Sequence, residues 1–215
     1  MDFLSTANMK VSRENISIVL FFVFHLIGGL GLSSNYQSVF LYLTPAHLIF
    51  SFLILLWANN DFRLSFFKTV AILYFIGFLI EVLGVQTGLL FGQYYYGKVL
   101  GYQLFDTPLI IGVNWVILCL SANAVISHFC LKPFPKIILS SLILVLLDVL
   151  IEPVAITLDF WHWVAIDIPI QNYFMWFLVA LLMNWIVHLN KLTINYKVGF
   201  GLFLSQILFF TILSF

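Results

Sequence analysis

Asp148 and Glu152 stand four residues apart inside a long apolar run, so on a helix they share one face. A carboxyl at membrane depth is costly, which marks it as a functional candidate. Two such groups side by side can titrate as a coupled pair that shares one proton. That is equipment for acid–base chemistry: one group to give a proton and another to take one. Glu81, Asp106, Asp159 and Asp167 lie in the same stretch, which thus holds six of the nine acids in the chain. Each also has a structural reading. Asp148 and Glu152 can be hydrogen-bonded between helices, and Glu81 can brace the segment that follows it. Asp106 can cap a helix N-terminus, and Asp159 and Asp167 can be solvated loop acids.

The elements that must position these groups are membrane spans. The 215 residues are 63% hydrophobic and 8% charged, with 24 Phe and a mean hydropathy of +1.10. This is the composition of a polytopic membrane protein. A formal net charge of zero argues against a nucleic-acid partner. Seven apolar stretches can cross, at 16–34, 39–57, 66–84, 108–128, 136–153, 173–190 and 197–214. Lipid leaves helices as the element, since every backbone group must bond internally. The expectation is an all-α fold of seven transmembrane helices, one integral membrane domain over 1–215. Pro108, Pro133, Pro135, Pro153 and Pro169 mark helix limits. The first run lacks a small-residue cleavage site and reads as a retained span. Cys119 and Cys130 have no CxxC spacing and read as small packing residues.

Basic residues alternate with the spans. Lys10, Arg13, Arg63, Lys68, Lys132, Lys136, Lys191 and Lys197 fall on one side and Lys98 alone on the other. The positive-inside rule puts the N-terminus in the cytoplasm and the C-terminus outside. Glu81 then lies in the outer half of the third span and Asp148 and Glu152 in the outer half of the fifth. All six acids converge near the outer boundary.

Two outer loops flank them. After Glu81, Gly84, Gly88, Gly92, Gly97 and Gly101 punctuate Phe91, Tyr94, Tyr95, Tyr96 and Tyr102. An ordinary aromatic belt does not need that spacing, so the segment reads as a re-entrant or interfacial loop after the third helix. The second loop combines Asp159, Trp161, His162, Trp163, Asp167 and Asn172. Asn114 and Trp115 face it from the fourth span. Together these make a greasy slot with a few placed polar groups, as in a small-molecule pocket.

The ordered residues Glu81-x-x-Gly84-x-x-Thr87-Gly88-x-x-Phe91-Gly92-x-Tyr94-x-Tyr96, then Leu100-Gly101, Pro108 and Trp115, form one block. Asp148 through Glu152-Pro153, Trp161-x-Trp163 and Pro169-x-x-Asn172 form a second. These blocks resemble the membrane carotenoid 1,2-hydratases, also called carotenoid 1′-hydroxylases, a group that includes bisanhydrobacterioruberin-hydratase-like carotenoid biosynthesis proteins. The first two spans and the last carry no matching motif. The segment from Trp163 to Pro169 is shorter and less glycine-rich than in that family. The resemblance implies addition of water across the terminal 1,2 double bond of an acyclic ψ end group, giving a tertiary alcohol. It implies a hydro-lyase that uses no cofactor and no metal. It also implies a lipophilic carotenoid, water and the bilayer as partners, beside other carotenoid biosynthesis enzymes. The setting is a bacterial-type inner membrane, with the site near the outer leaflet.

That chemistry sets the residue roles. Protonating an isolated trisubstituted alkene leaves a tertiary cation, which water captures. Asp148 and Glu152 are the candidate proton source, and Glu81 or the remaining carboxylate orients the water. Trp and Tyr faces stabilise a desolvated cation by about 2 kcal/mol. The substrate-binding candidates are Tyr94, Tyr96, Asn114, Trp115, Trp161, His162, Trp163 and Asn172. A carotenoid cyclase uses the same protonation but excludes water, and a proton-coupled transporter also needs intramembrane acids. A metal hydroxylase wants clustered histidines. His25, His47, His128, His162 and His188 are scattered, with a haem-binding His25–His47 pair the exception to satisfied core histidines. A rhodopsin-like receptor needs a Schiff-base lysine midway along the last span, where residues 198–214 have none.

Overall fold

The computed structural model describes residues 12–59 and 61–215. Lys10 lies outside the described residues. Seven helices follow in order: α1 (Arg13–Leu32), α2 (Gln37–Asn59), α3 (Leu64–Thr87), α4 (Ile110–Ser127), α5 (Pro133–Thr157), α6 (Ile170–Leu189) and α7 (Tyr196–Leu213). Each is long and apolar enough to cross a membrane. Their ends fall within about a turn of the predicted runs. The starts follow local chemistry. The Ser12 hydroxyl accepts from the Asn15 N–H, the Asn195 side chain accepts from the Lys197 N–H, and Pro133 opens α5.

Helix α4 is the most enclosed span and touches α2, α3, α5, α6 and α7. Helices α1, α2 and α7 pack to one side of it, while α3, α5 and α6 pack to the other. Successive spans run antiparallel, so α3 and α5 finish at the end where α4 and α6 begin. At the opposite end Asn184 ties three helices. It accepts from Asn123 at 3.1 Å and donates to Ser141 at 3.3 Å.

Two expectations about local structure are corrected. Helix α5 does not end at Pro153 but continues to Thr157. Proline removes only the one bond toward Val149, and the Thr157 hydroxyl donates back to the Pro153 carbonyl at 2.8 Å. Glu152 is therefore held on continuous helix. Asp106 does not cap α4, whose N-cap is Leu109. It sits with Phe105 at positive φ, 57° and 53°, in a two-residue turn. That turn joins β2 (Gln103–Leu104) to β3 (Thr107–Pro108). The Asp106 carboxylate accepts from Gln86 at 3.1 Å.

The α3–α4 and α5–α6 loops fold on one another. β1 (Tyr94–Tyr96) pairs antiparallel with β4 (Trp161–Trp163), and this ladder caps the ends of α3 and α5. Gly88 makes the turn possible. At φ 65° it closes α3 in the left-handed conformation, its N–H returning to the Gly84 carbonyl at 2.8 Å.

Replacing Asn184 with alanine strips the contacts to Asn123 and Ser141 without touching the cap. The expected cost is about 1 kcal/mol, read as a lower denaturation temperature in detergent. An unchanged temperature would show that this triad does not help hold α4, α5 and α6 together.

Candidate functional site

Strand alternation decides which side chains reach the acids. The register sets Tyr94 opposite Trp163, Tyr95 opposite His162, and Tyr96 opposite Trp161. Successive side chains point to opposite faces. Tyr94, Tyr96, Trp161 and Trp163 therefore face the helix ends, while Tyr95 and His162 face away. The His162 ring lies 5.3 Å from that of Tyr95 and its Nε2 lies 2.7 Å from Asp159 Oδ1.

Each inward aromatic brings an N–H or O–H to a carboxylate. Buried Glu81, near the end of α3, accepts from the Tyr94 hydroxyl at 2.5 Å and the Tyr96 hydroxyl at 2.7 Å on Oε2. The Trp115 indole donates to its Oε1 at 2.9 Å. Trp115 can lie that close because Gly77 bares the backbone of α3. A Cβ there would stand 2.6 Å from the Trp115 Cβ. Burial, and next the Glu81 charge, push the Tyr94 and Tyr96 phenols above their ordinary range. Both remain protonated donors at any physiological pH.

Glu152 is held in the same style. The Trp163 and Trp161 indoles donate to Oε2 at 2.8 and 3.2 Å. The Asn172 amide, from the first turn of α6, donates to Oε1 at 2.9 Å and to Asp148 Oδ2 at 3.0 Å. Asp148 and Glu152 do share a face, but this amide bridges them. Asp148 Oδ1 is buried with no hydrogen-bond partner among the described residues.

Between these groups lies a cavity of about 20 Å³, room for about one water. Its wall includes Glu81, Tyr94, Tyr96, Asn114, Trp115, Glu152, Trp161, Trp163 and Asn172. Two of the sequence candidates are not on it. Asp148 stands behind Asn172, and His162 is on the outer face of the ladder. The wall also includes Phe91, Ile111 and Trp176, which sequence reasoning missed. Trp176 was detectable: it follows Asn172 by four on α6 and so shares its face. Its ring lies 4.3 Å from that of Trp115. Among the described residues, no Lys or Arg lines the cavity. The assembly offers two carboxylates as proton donor or acceptor, aromatic faces for a cation, and space for a small polar molecule.

His25 and His47 do meet, their ring centroids 4.5 Å apart. His25 Nδ1 lies 2.8 Å from the Phe21 carbonyl, as a satisfied core histidine would. His47 Nε2 is buried without a partner among the described residues. Among the described residues, no group of three or more His, Cys, Asp or Glu is placed to hold a metal ion.

A family model described as carotenoid biosynthesis protein matches residues 39–214. The match takes in all but the first two residues of α2, the whole of α3 through α7 and every residue on the cavity wall. Comparisons with curated proteins and with solved structures each return no match.

Asn172→Leu leaves oxygens of both Asp148 and Glu152 without their shared donor. The expected loss of stability is about 2 kcal/mol, followed as thermal unfolding in detergent. Tyr95→Phe, on the other face of the ladder, is expected to leave unfolding unchanged. Equal behaviour of the two variants would contradict the inward and outward assignment.

Proposed function

The chain belongs to the carotenoid biosynthesis protein family, and on that premise we propose that it hydrates the terminal 1,2 double bond of an acyclic carotenoid end group. One observation carries the reading. Two carboxyls, Glu81 and Glu152, share the wall of a water-sized aromatic cavity that no basic side chain among the described residues lines. A third carboxyl, Asp148, shares the Asn172 amide with Glu152.

Like charges crowded in a low dielectric repel strongly, and the Asp148–Glu152 pair keeps one proton between its members. Glu152 delivers that proton to the less substituted alkene carbon, and the adjacent carbon becomes a tertiary cation. The indole and phenol faces around it stabilise the charge. Water held near Glu81 adds its oxygen to the cation and gives its spare proton to the Glu81 carboxylate. Passing that proton back to the Asp148–Glu152 pair restores the starting state. One water is consumed, and the step needs no electron donor or acceptor.

A carotenoid cyclase begins with the same protonation, but its cation must close on a carbon while water is kept away. Space for a water beside two carboxylates favours hydration. The transporter reading has no comparable observation in its favour. The distribution of basic residues supports placing this end of the bundle toward the outer leaflet of a bacterial-type inner membrane. Lys98 lies at this end and the other described Lys and Arg residues at the opposite one.

Expression in a lycopene-producing bacterium tests the reaction. The expected product is a mono- or dihydroxylated acyclic carotenoid whose new oxygen comes from labelled water. A ring-closed product, or oxygen taken from O₂, rejects the hydratase. Glu152→Gln and Glu81→Gln are each expected to slow turnover about 10²–10⁴-fold while the protein stays in the membrane. Asp148→Asn is expected to fall in the same range; full turnover by both Asp148→Asn and Glu152→Gln would discard the paired-acid mechanism. Cys130 is exposed in the basic α4–α5 connection, whereas Cys119 is buried. An impermeant thiol reagent should therefore label the protein only after the membrane is opened, and labelling of intact cells would reverse the orientation.

A further inference from the structure

The reacting cavity is far too small for a polyene, so the rest of the substrate needs its own place. Two further cavities lead away from it. The first, about 60 Å³, shares Ile111, Asn114 and Trp161 with the reacting cavity. The second, about 210 Å³, shares Thr44, His47 and Phe209 with the first. The outer cavity lies between α1 and α2. Its rim residues Phe24, Ile27, Leu43 and Phe50 are exposed on the lipid-facing surface. Phe24 is about 16 Å along α1 at 1.5 Å per residue, near the middle of a bilayer core. Three spaces with shared walls thus run from mid-membrane lipid to the carboxyls.

We propose that this α1–α2 crevice and the chamber behind it are the binding channel for the polyene chain of an acyclic carotenoid. The chain enters sideways from the bilayer and its tip ends against Glu81 and Glu152. This inference rests on the carotenoid reading above and adds a substrate subsite to it. The occupant follows from the walls. A mouth opening at mid-bilayer depth admits a lipid-dissolved molecule, and a narrow, largely apolar passage selects a long, thin one. The chamber wall itself argues against a packed core seam. Gln206 and His47 line it, and their Oε1 and Nε2 are buried polar atoms without a partner among the described residues, whereas a core built to stay closed pairs such atoms. The Phe209 ring, stacked 5.9 Å from His47 and edge-on at 5.8 Å from His25, stands where the two spaces join and must swing as the chain passes.

The test purifies the full-length protein in detergent from lycopene-producing cells and reads polyene absorbance per protein. Two substitutions fill the mouth. One is Thr44→Trp. The other is Gly28→Leu, whose Cβ would lie 3.3 Å from the Phe209 ring. Each is expected to lower bound lycopene about tenfold or more, while Leu79→Trp on the lipid face of α3 keeps the load. A photoreactive benzophenone side chain at position 43 is expected to crosslink lycopene in membranes, and one at position 79 is not. Mouth variants that fold and carry a full load overturn the channel, as does crosslinking at 79 but not at 43. If wild type binds lycopene, loses it through the mouth variants and never hydroxylates it, the channel stands and the hydratase falls. If both variants hydroxylate lycopene at the full rate, the hydratase stands and the channel falls.

Discussion

Three carboxyls inside an apolar bundle have to be fed hydrogen bonds, and this need organises one whole end of the molecule. Water is the usual donor to a carboxylate, and hydrocarbon has none. The chain supplies indole, phenol and amide donors instead, three to Glu81 and three to Glu152. Aromatic donors suit the task twice over. They satisfy the oxygens, and their faces line the space between with a surface that welcomes positive charge. A lysine or arginine would satisfy the acids more strongly but would cancel the field that a cation requires.

The β1–β4 ladder answers a geometric problem. Helix ends alone cannot converge four bulky donors on two acids that sit on different helices. A short extended pair can, because one face of each strand delivers two side chains at a fixed spacing. The ladder needs only three residues from each loop. The same pattern explains why Tyr95 and His162, embedded in the motifs, stay out of the cavity.

Much of this was legible in the sequence. Span number follows from apolar length, which lipid enforces strictly. The acids, the tyrosine triplet and the Trp-x-Trp pair were visible because polar groups are rare against this background. What was not legible came from contacts between distant segments. Nothing local announced that residue 94 would meet residue 163, so the alternation could not be used to set His162 aside. The bridging by Asn172 was hidden for the same reason, since it joins α6 to α5. The ends misread, at Pro153 and Asp106, are places where a strong local preference yielded to neighbouring hydrogen bonds.

The hydrogen-bond partners also have an order in the chain. Glu81 precedes Tyr94, Tyr96 and Trp115; Asp148 and Glu152 precede Trp161, Trp163 and Asn172. Every donor is made after the acid it serves. During insertion from the N-terminus, each acid-bearing helix reaches the membrane before its donors have folded against it, and must wait there neutral or against water. The two halves of the nest close only when the second helical hairpin arrives beside the first, so biogenesis of this end is necessarily a late event.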